Sequence, residues 1–311
     1  DGANRLDGGY GNDTLYGLGG ADLLAGGSGP YLLNNAYVYD DDTYYGGAGN
    51  DTVSYDDHAL SSVTASLNGL RDDGSAFNEQ DLISTDVENL IGTTQADTLS
   101  GDAGPNRLYG RDPAYDLAGK GDIEDGGDWL AGNGGNDTLY GYRGNDALYG
   151  GDGNDRLIGG PNADSMYGGA GNDYVSYETH TVPVNASLDG VANDGAYREG
   201  DLIGEDIEDL NGGMAADTLT GNAGPNVIVG DSPLSVGGGN DVIDAGAGID
   251  KVYAGAGDDY VTGGAGDDTI YGSWGDDRLF GEAGNDLLDG GPGTDQCDTG
   301  ANGGTSLNCS P

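Results

Sequence analysis

Aspartate recurs in this sequence with a spacing that suits metal chemistry. Asp241, Asp250, Asp259, Asp268, Asp277, Asp286 and Asp295 stand nine residues apart. The equivalent place is held by Asp13, Asp22, Asp42, Asp51, Asp97, Asp128, Asp137, Asp146, Asp155, Asp164, Asp173 and Asp217, and by asparagine at Asn4, Asn106 and Asn226. The turns that carry these residues contain neither His nor Cys, so zinc has no ligand set in them. Carboxylates and carbonyls alone suit a hard cation that takes about six to eight oxygens at flexible geometry, namely calcium, whereas magnesium demands tighter octahedral geometry and keeps its water. The competing interpretation is a solvated acidic face, but solvated charges need no fixed register.

The elements that must position these acids are nonapeptides. Gly132–Ser176 runs GNGGNDTLY, GYRGNDALY, GGDGNDRLI, GGPNADSMY, GGAGNDYVS without an insertion. Two residues after the acid comes an apolar side chain, as at Leu15, Val53, Leu139, Leu148, Leu157, Val175, Ile243, Val261, Ile270 and Leu279. Each unit therefore has a glycine-rich turn followed by a short strand with one inward residue between two outward ones. Stacking such coils at a strand spacing of ~4.8 Å brings acidic corners close together. A column of like charges repels unless cations stand between its members. One inward side chain per unit makes a thin interior, so metal binding has to contribute folding energy. We expect a largely disordered chain without calcium.

These units resemble the RTX, or hemolysin-type, calcium-binding nonapeptide repeats. The resemblance implies an all-β fold, a right-handed parallel β-roll (a β-helix or solenoid) with two nonapeptides per coil and calcium held between turns of neighbouring coils. We expect one continuous β-roll over residues 1–311, with duplicated inserts at 55–91 and 177–211 and a disulfide-stapled C-terminal cap at 297–311. Cys297 and Cys309, the two cysteines of the chain, would form that bridge and favour an oxidising compartment.

A longer duplication contains the short one. Residues 46–110 match 168–230, and each copy carries an insert with VTASL or VNASL alternation that suggests added strands. The inserts hold matched acids: Asp73, Glu79, Asp81, Asp86 and Glu88 against Asp194, Glu199, Asp201, Asp206 and Glu208. One further calcium site per insert competes with solvated loop acids. His58 and His180 occupy equivalent insert positions; no nucleophile, base and orienting group can be assembled around them, which favours a structural role. Another insert, Pro30–Tyr39, is apolar and tyrosine-rich. Tyrosines also recur at the outward ninth position, where pairs such as Tyr149/Tyr167 and Tyr253/Tyr271 are placed to stack. Carbohydrate or partner binding is the sharper reading of those rings.

Composition excludes several classes of function. The chain has 65 glycines, ten Lys plus Arg, and a net charge of −45. Phosphate recognition needs a basic face, so nucleic acid is excluded, and anionic membranes are disfavoured. No apolar stretch is long enough to be a transmembrane segment. Asn4 begins a coil without a cap, which leaves two explanations: a cut from a longer protein, or an open end that receives another copy. The expected function is a secreted, extracellular bacterial calcium-binding structural protein, not an enzyme, that self-associates end to end into filaments or matrix. The alternative is the calcium-triggered folding and secretion module of a larger toxin, hydrolase or adhesin.

Overall fold

A computed structural model describes residues 2–27, 31–33, 36–38, 40–56, 58, 61–75, 79–113, 125–231 and 238–310. Among them every helix or strand element is a strand. Most strands begin one residue after the acidic corner, as in Thr138–Tyr140 and Arg156–Ile158. The middle residue faces inward, so Leu139 and Leu157 are fully buried while Thr138, Tyr140 and Arg156 are only half-buried. Pairing is parallel, with Thr138 opposite Arg156 and Leu139 opposite Leu157. That step equals two nonapeptides, so successive units lie in different sheets and each coil carries two strands.

Two compact units are present, Asp1–Gly159 and Gly160–Pro311. In the first, one sheet runs through Arg5–Asp7, Leu23–Ala25, Thr52–Ser54, Asn89–Ile91, Arg107–Tyr109, Thr138–Tyr140 and Arg156–Ile158. A second joins Thr14–Gly20, Thr43–Gly49 and Leu82–Ile83, and a third joins Val63–Ser66, Thr98–Ser100, Trp129–Gly134 and Ala147–Asp152. In the second unit, Tyr174–Ser176, Asp209–Gly213, Val227–Asp231, Lys251–Ala256, Thr269–Trp274, Asp286–Asp289 and Gly304–Leu307 form one sheet. Val184–Ser187, Thr218–Thr220, Val242–Asp244, Tyr260–Ala265, Arg278–Ala283 and Gln296–Asp298 form another. The interior between them is one side chain thick: Ile228, Val252, Ile270 and Leu288 come from the first sheet, Ile243, Val261 and Leu279 from the second, all fully buried. This is a parallel β-roll.

The inserts are built into the roll. Val63–Ser66 and Val184–Ser187 are the strands expected from the VTASL and VNASL alternation. Each pairs in parallel with a repeat strand and antiparallel with a short added strand, Gly74–Ser75 or Gly195–Ala196. The tyrosine-rich insert forms an antiparallel hairpin, Tyr31–Leu33 with Ala36–Val38; Pro30, Asn34, Asn35 and Tyr39 lie outside the described residues. The Cys297–Cys309 disulfide is formed, with a Cα–Cα distance of 5.9 Å. Tyr253 stacks on Tyr271 at 5.2 Å as their spacing suggests, and Tyr16 on Tyr45 at 4.9 Å and Tyr109 on Tyr140 at 5.0 Å stack across coils that carry longer inserts. No described helix is long and apolar enough to cross a membrane.

Candidate metal centres

The corner aspartates share one geometry, and all but the half-buried Asp13 are buried. The Oδ1 of each accepts the backbone N–H of the corresponding residue one coil earlier. Asp128 donates to Asp146 at 2.8 Å, Asp137 to Asp155 at 2.8 Å, Asp241 to Asp259 at 2.8 Å and Asp259 to Asp277 at 2.9 Å. Each carboxylate thus pins the turn one coil earlier, which explains why the acid needs a strict register. The second oxygen is different. Oδ2 of Asp13, Asp22, Asp51, Asp128, Asp137, Asp217, Asp241, Asp250, Asp259, Asp268, Asp277, Asp286 and Asp295 is buried with no hydrogen-bond donor. Buried carboxylate oxygens without a partner are costly and call for a compensating cation.

The space beside that oxygen is kept open by the first glycine of the unit. A methyl group on Gly263 would lie 2.6 Å from Asp268 Oδ2 and 3.1 Å from the Gly281 carbonyl oxygen of the next coil. Gly132, Gly141 and Gly272 are hemmed in the same way by their own Asp Oδ2 and by the carbonyls of Gly150, Gly159 and Gly290. Carbonyls of the second and fourth turn positions point along the stack as well, since a methyl on Gly264 or Gly266 would collide with the carbonyl of Gly246 or Gly248. Those two positions have φ of +99° and +145°, where a side chain would be strained even without the collision. Carboxylate and carbonyl oxygens therefore converge with no nitrogen or sulfur ligand. That donor set fits calcium. Among the described residues, no three Asp, Glu, His or Cys side chains converge on one point, so each corner pairs a carboxylate with backbone oxygens.

Burial, joined at several of them by the repulsion of neighbouring acids, raises many of the corner carboxylates above the usual range. Asp128 is pushed up to about 10 by burial, with the charges of Asp97, Asp146 and Asp125 adding to it. Burial likewise takes Asp241 to about 8, reinforced by Asp231, Asp259 and Asp217, and Asp259 to about 7. Asp137 and Asp146 rise to about 7, Asp97, Asp217, Asp250 and Asp277 to about 6, all chiefly through burial. Hydrogen bonds from the neighbouring coil oppose the rise without cancelling it. The column in its charged form is held against strong resistance.

The asparagine corners solve the same problem without a cation. Asn106 keeps the backbone geometry, and its Nδ2 donates to the Glu88 carbonyl at 3.0 Å. Asn226 does the same to the Glu208 carbonyl at 2.7 Å. An amide N–H supplies there the positive partner that an aspartate lacks.

The insert acids are brought to the corners but have protein partners. Asp81 and Asp201 accept the N–H of Asp42 and Asp164 at 2.7 and 2.9 Å, continuing the ladder. Their Oδ2 atoms accept the hydroxyls of Tyr55 and Tyr177, each at 3.0 Å. Glu88 and Glu208 accept the N–H of Asp51 and Asp173, and Asp86 and Asp206 accept from Gly47 and Gly169. Asp73 and Asp194 hold Ser66 and Ser187. Glu79 faces His58 at 3.3 Å and Glu199 faces His180 at 3.2 Å. Burial opposes ionisation of both glutamates, but the paired histidine outweighs it and leaves them below the usual range. The histidines thus act as internal ion-pair partners, each with its ring edge against a tyrosine, Tyr55 or Tyr177.

A second ladder was not anticipated from sequence. At several corners the preceding residue is Asn or Asp and accepts from the coil after it: Asp258 N–H bonds to Asn240 Oδ1 at 3.0 Å, Asp276 N–H to Asp258 Oδ1 at 2.9 Å and Asn285 N–H to Asp267 Oδ1 at 2.9 Å. The recurring Asn-Asp and Asp-Asp doublets were its signal. They reach in opposite directions along the stack.

The sequence profile of the RTX calcium-binding nonapeptide repeat (4 copies) matches residues 1–33, 39–53, 86–112, 123–157, 149–178, 209–232, 235–270 and 271–305. It leaves the cores of both inserts unmatched, in keeping with their different corner chemistry. No curated protein matches the chain. With most of its length accounted for by this repeat and its corners arranged for oxygen-only coordination, the chain belongs to the RTX calcium-binding nonapeptide repeat family.

Proposed function

We propose that this protein is a calcium-hardened structural element of the extracellular space and not an enzyme. The observation that carries the reading is the file of buried Asp Oδ2 atoms with no donor. Asp13, Asp22, Asp51, Asp128, Asp137, Asp217 and the run from Asp241 to Asp295 would hold calcium together with turn carbonyls. Bound calcium supplies positive charge between coils and removes the repulsion of the column. The protein's own residues do the rest: Oδ1 fixes the register of the turns, and glycines keep the cradle open. Both described histidines are committed to glutamates, which supports a non-catalytic role. The disulfide supports an oxidising, secreted location.

End-to-end self-association into filaments is part of this reading. Among the described residues, strand Arg5–Asp7 pairs with Leu23–Ala25 alone, and a strand whose second edge has no partner would be a template for another chain. Electron microscopy in millimolar calcium and after EDTA tests the proposal. Ordered assemblies that dissolve on chelation are expected; monodisperse monomers in calcium would count against assembly.

A further inference from the structure

We propose that Asp231 and Asp241 form a two-carboxylate calcium site, at a place that the first unit fills with the side chain of Arg111. The inference rests on the calcium reading above and adds a residue that lies outside the nonapeptide corners. Asp231 ends the strand Val227–Asp231, directly after the glycine that shelters Asp241. Its side chain is buried at 1% exposure, and its Oδ1 has no hydrogen-bond partner. Its Oδ2 takes only backbone amides, Ala256 N–H at 3.4 Å and that of Gly239. A methyl group on Gly238 would collide with Asp231 Oδ2 and the Ala256 carbonyl, and one on Gly230 with Asp241 Oδ2 and the Ala254 carbonyl. Two carboxylates and two carbonyls therefore line adjoining spaces at the end of one strand. The charge of Asp231 bears on Asp217, Asp241 and Asp259.

The first unit shows what such a place requires. The duplication aligns Gly110-Arg111 with Gly230-Asp231. A methyl on Gly110 would collide with Asp128 Oδ2 and the Gly141 carbonyl, the same environment as at Gly230. The buried Arg111 places Nε 3.2 Å from Asp125 Oδ2 and its guanidinium 5.7 Å from the Tyr142 ring centroid. One copy thus carries a fixed cation, and the other carries an acid that has none. A buried carboxylate without compensation is too costly to hold its charge, so the second copy keeps both acids charged only by taking a cation from solution. Hard oxygen donors with two formal charges suit calcium, and a higher ligand charge count tightens a calcium site.

Equilibrium dialysis of the full chain against radioactive calcium tests this, with β content checked by circular dichroism in saturating calcium. Asp231→Asn and Asp231→Arg should each bind one ion fewer than the wild type, or bind that ion at least ~10-fold more weakly. Asp231→Arg should fold at lower calcium, because it brings its own cation. Unchanged number and affinity in both variants would overturn the proposal, as would an Asp231→Arg chain that cannot fold. A wild-type chain that binds no calcium at all would instead sink the broader calcium reading, which keeps the two failures apart.

Discussion

Replacing Asp277 by Asn should stabilise the protein without calcium and destabilise it with calcium. Asp277 is fully buried, its Oδ1 accepts the Asp259 N–H at 2.9 Å, and its Oδ2 has no donor. Burial first, then the charges of Asp295, Asp258 and Asp276, raise its pKa from 3.8 to about 6. At ~1.4 kcal/mol per unit that is about 3 kcal/mol against the charged form near neutral pH, reduced to about 1–2 kcal/mol by solvent screening. Asparagine keeps the Oδ1 bond and removes the charge. The metal-free gain is thus about 1–2 kcal/mol. In calcium the variant loses a ligand, and an ion present at ~100 times its Kd contributes about 2.7 kcal/mol. Urea unfolding followed by circular dichroism reads both arms: one in saturating calcium, one in EDTA with an excluded osmolyte to populate the metal-free fold. A change of the same sign in both arms would refute the reasoning.

The metal-free chain should gain β-structure on acidification. Corner pKa values are raised in the fold, for example to about 8 at Asp241 and about 7 at Asp259, so their contribution is complete below ~4, the unfolded value, and is lost as pH rises through about 6–8. Circular dichroism in EDTA between these limits checks the sign, and an increase of β content with pH would contradict it. Gly263→Ala should cost about 1–3 kcal/mol in calcium and weaken one site, because the methyl enters the Asp268 cradle at 2.6 Å. Gly134→Ala, whose nearest contact would be 3.6 Å, should be nearly neutral; equal costs measured by urea unfolding would remove the cradle argument. Tyr55→Phe and Tyr177→Phe each strip a hydroxyl from a buried carboxylate and should cost about 1–3 kcal/mol. A neutral result in urea unfolding would mean those acids have another partner.

The period of nine was enough to read the β-roll, because one residue type at each turn and one inward apolar residue per strand leave little freedom. The alternation in VTASL and VNASL gave away the inserted strands for the same reason. What sequence could not convey was which oxygen is satisfied. Asp81 and Asp277 look alike as residues, yet Tyr55, a remote side chain, donates to Oδ2 of the first and nothing donates to Oδ2 of the second. The expected repulsion of a bare carboxylate column was also too simple, since every second oxygen is tied into a backbone ladder. Arg111 and Asp231 were invisible because they sit at irregular segments where the nonapeptide pattern lapses.

Calcium titration of the EDTA-treated chain, read simultaneously by circular dichroism and by bound metal, addresses the main claim most directly. Cooperative growth of β signal in step with the binding of several ions per chain is the predicted result. A fully formed β spectrum before any metal is added, unchanged as calcium rises, would contradict the account.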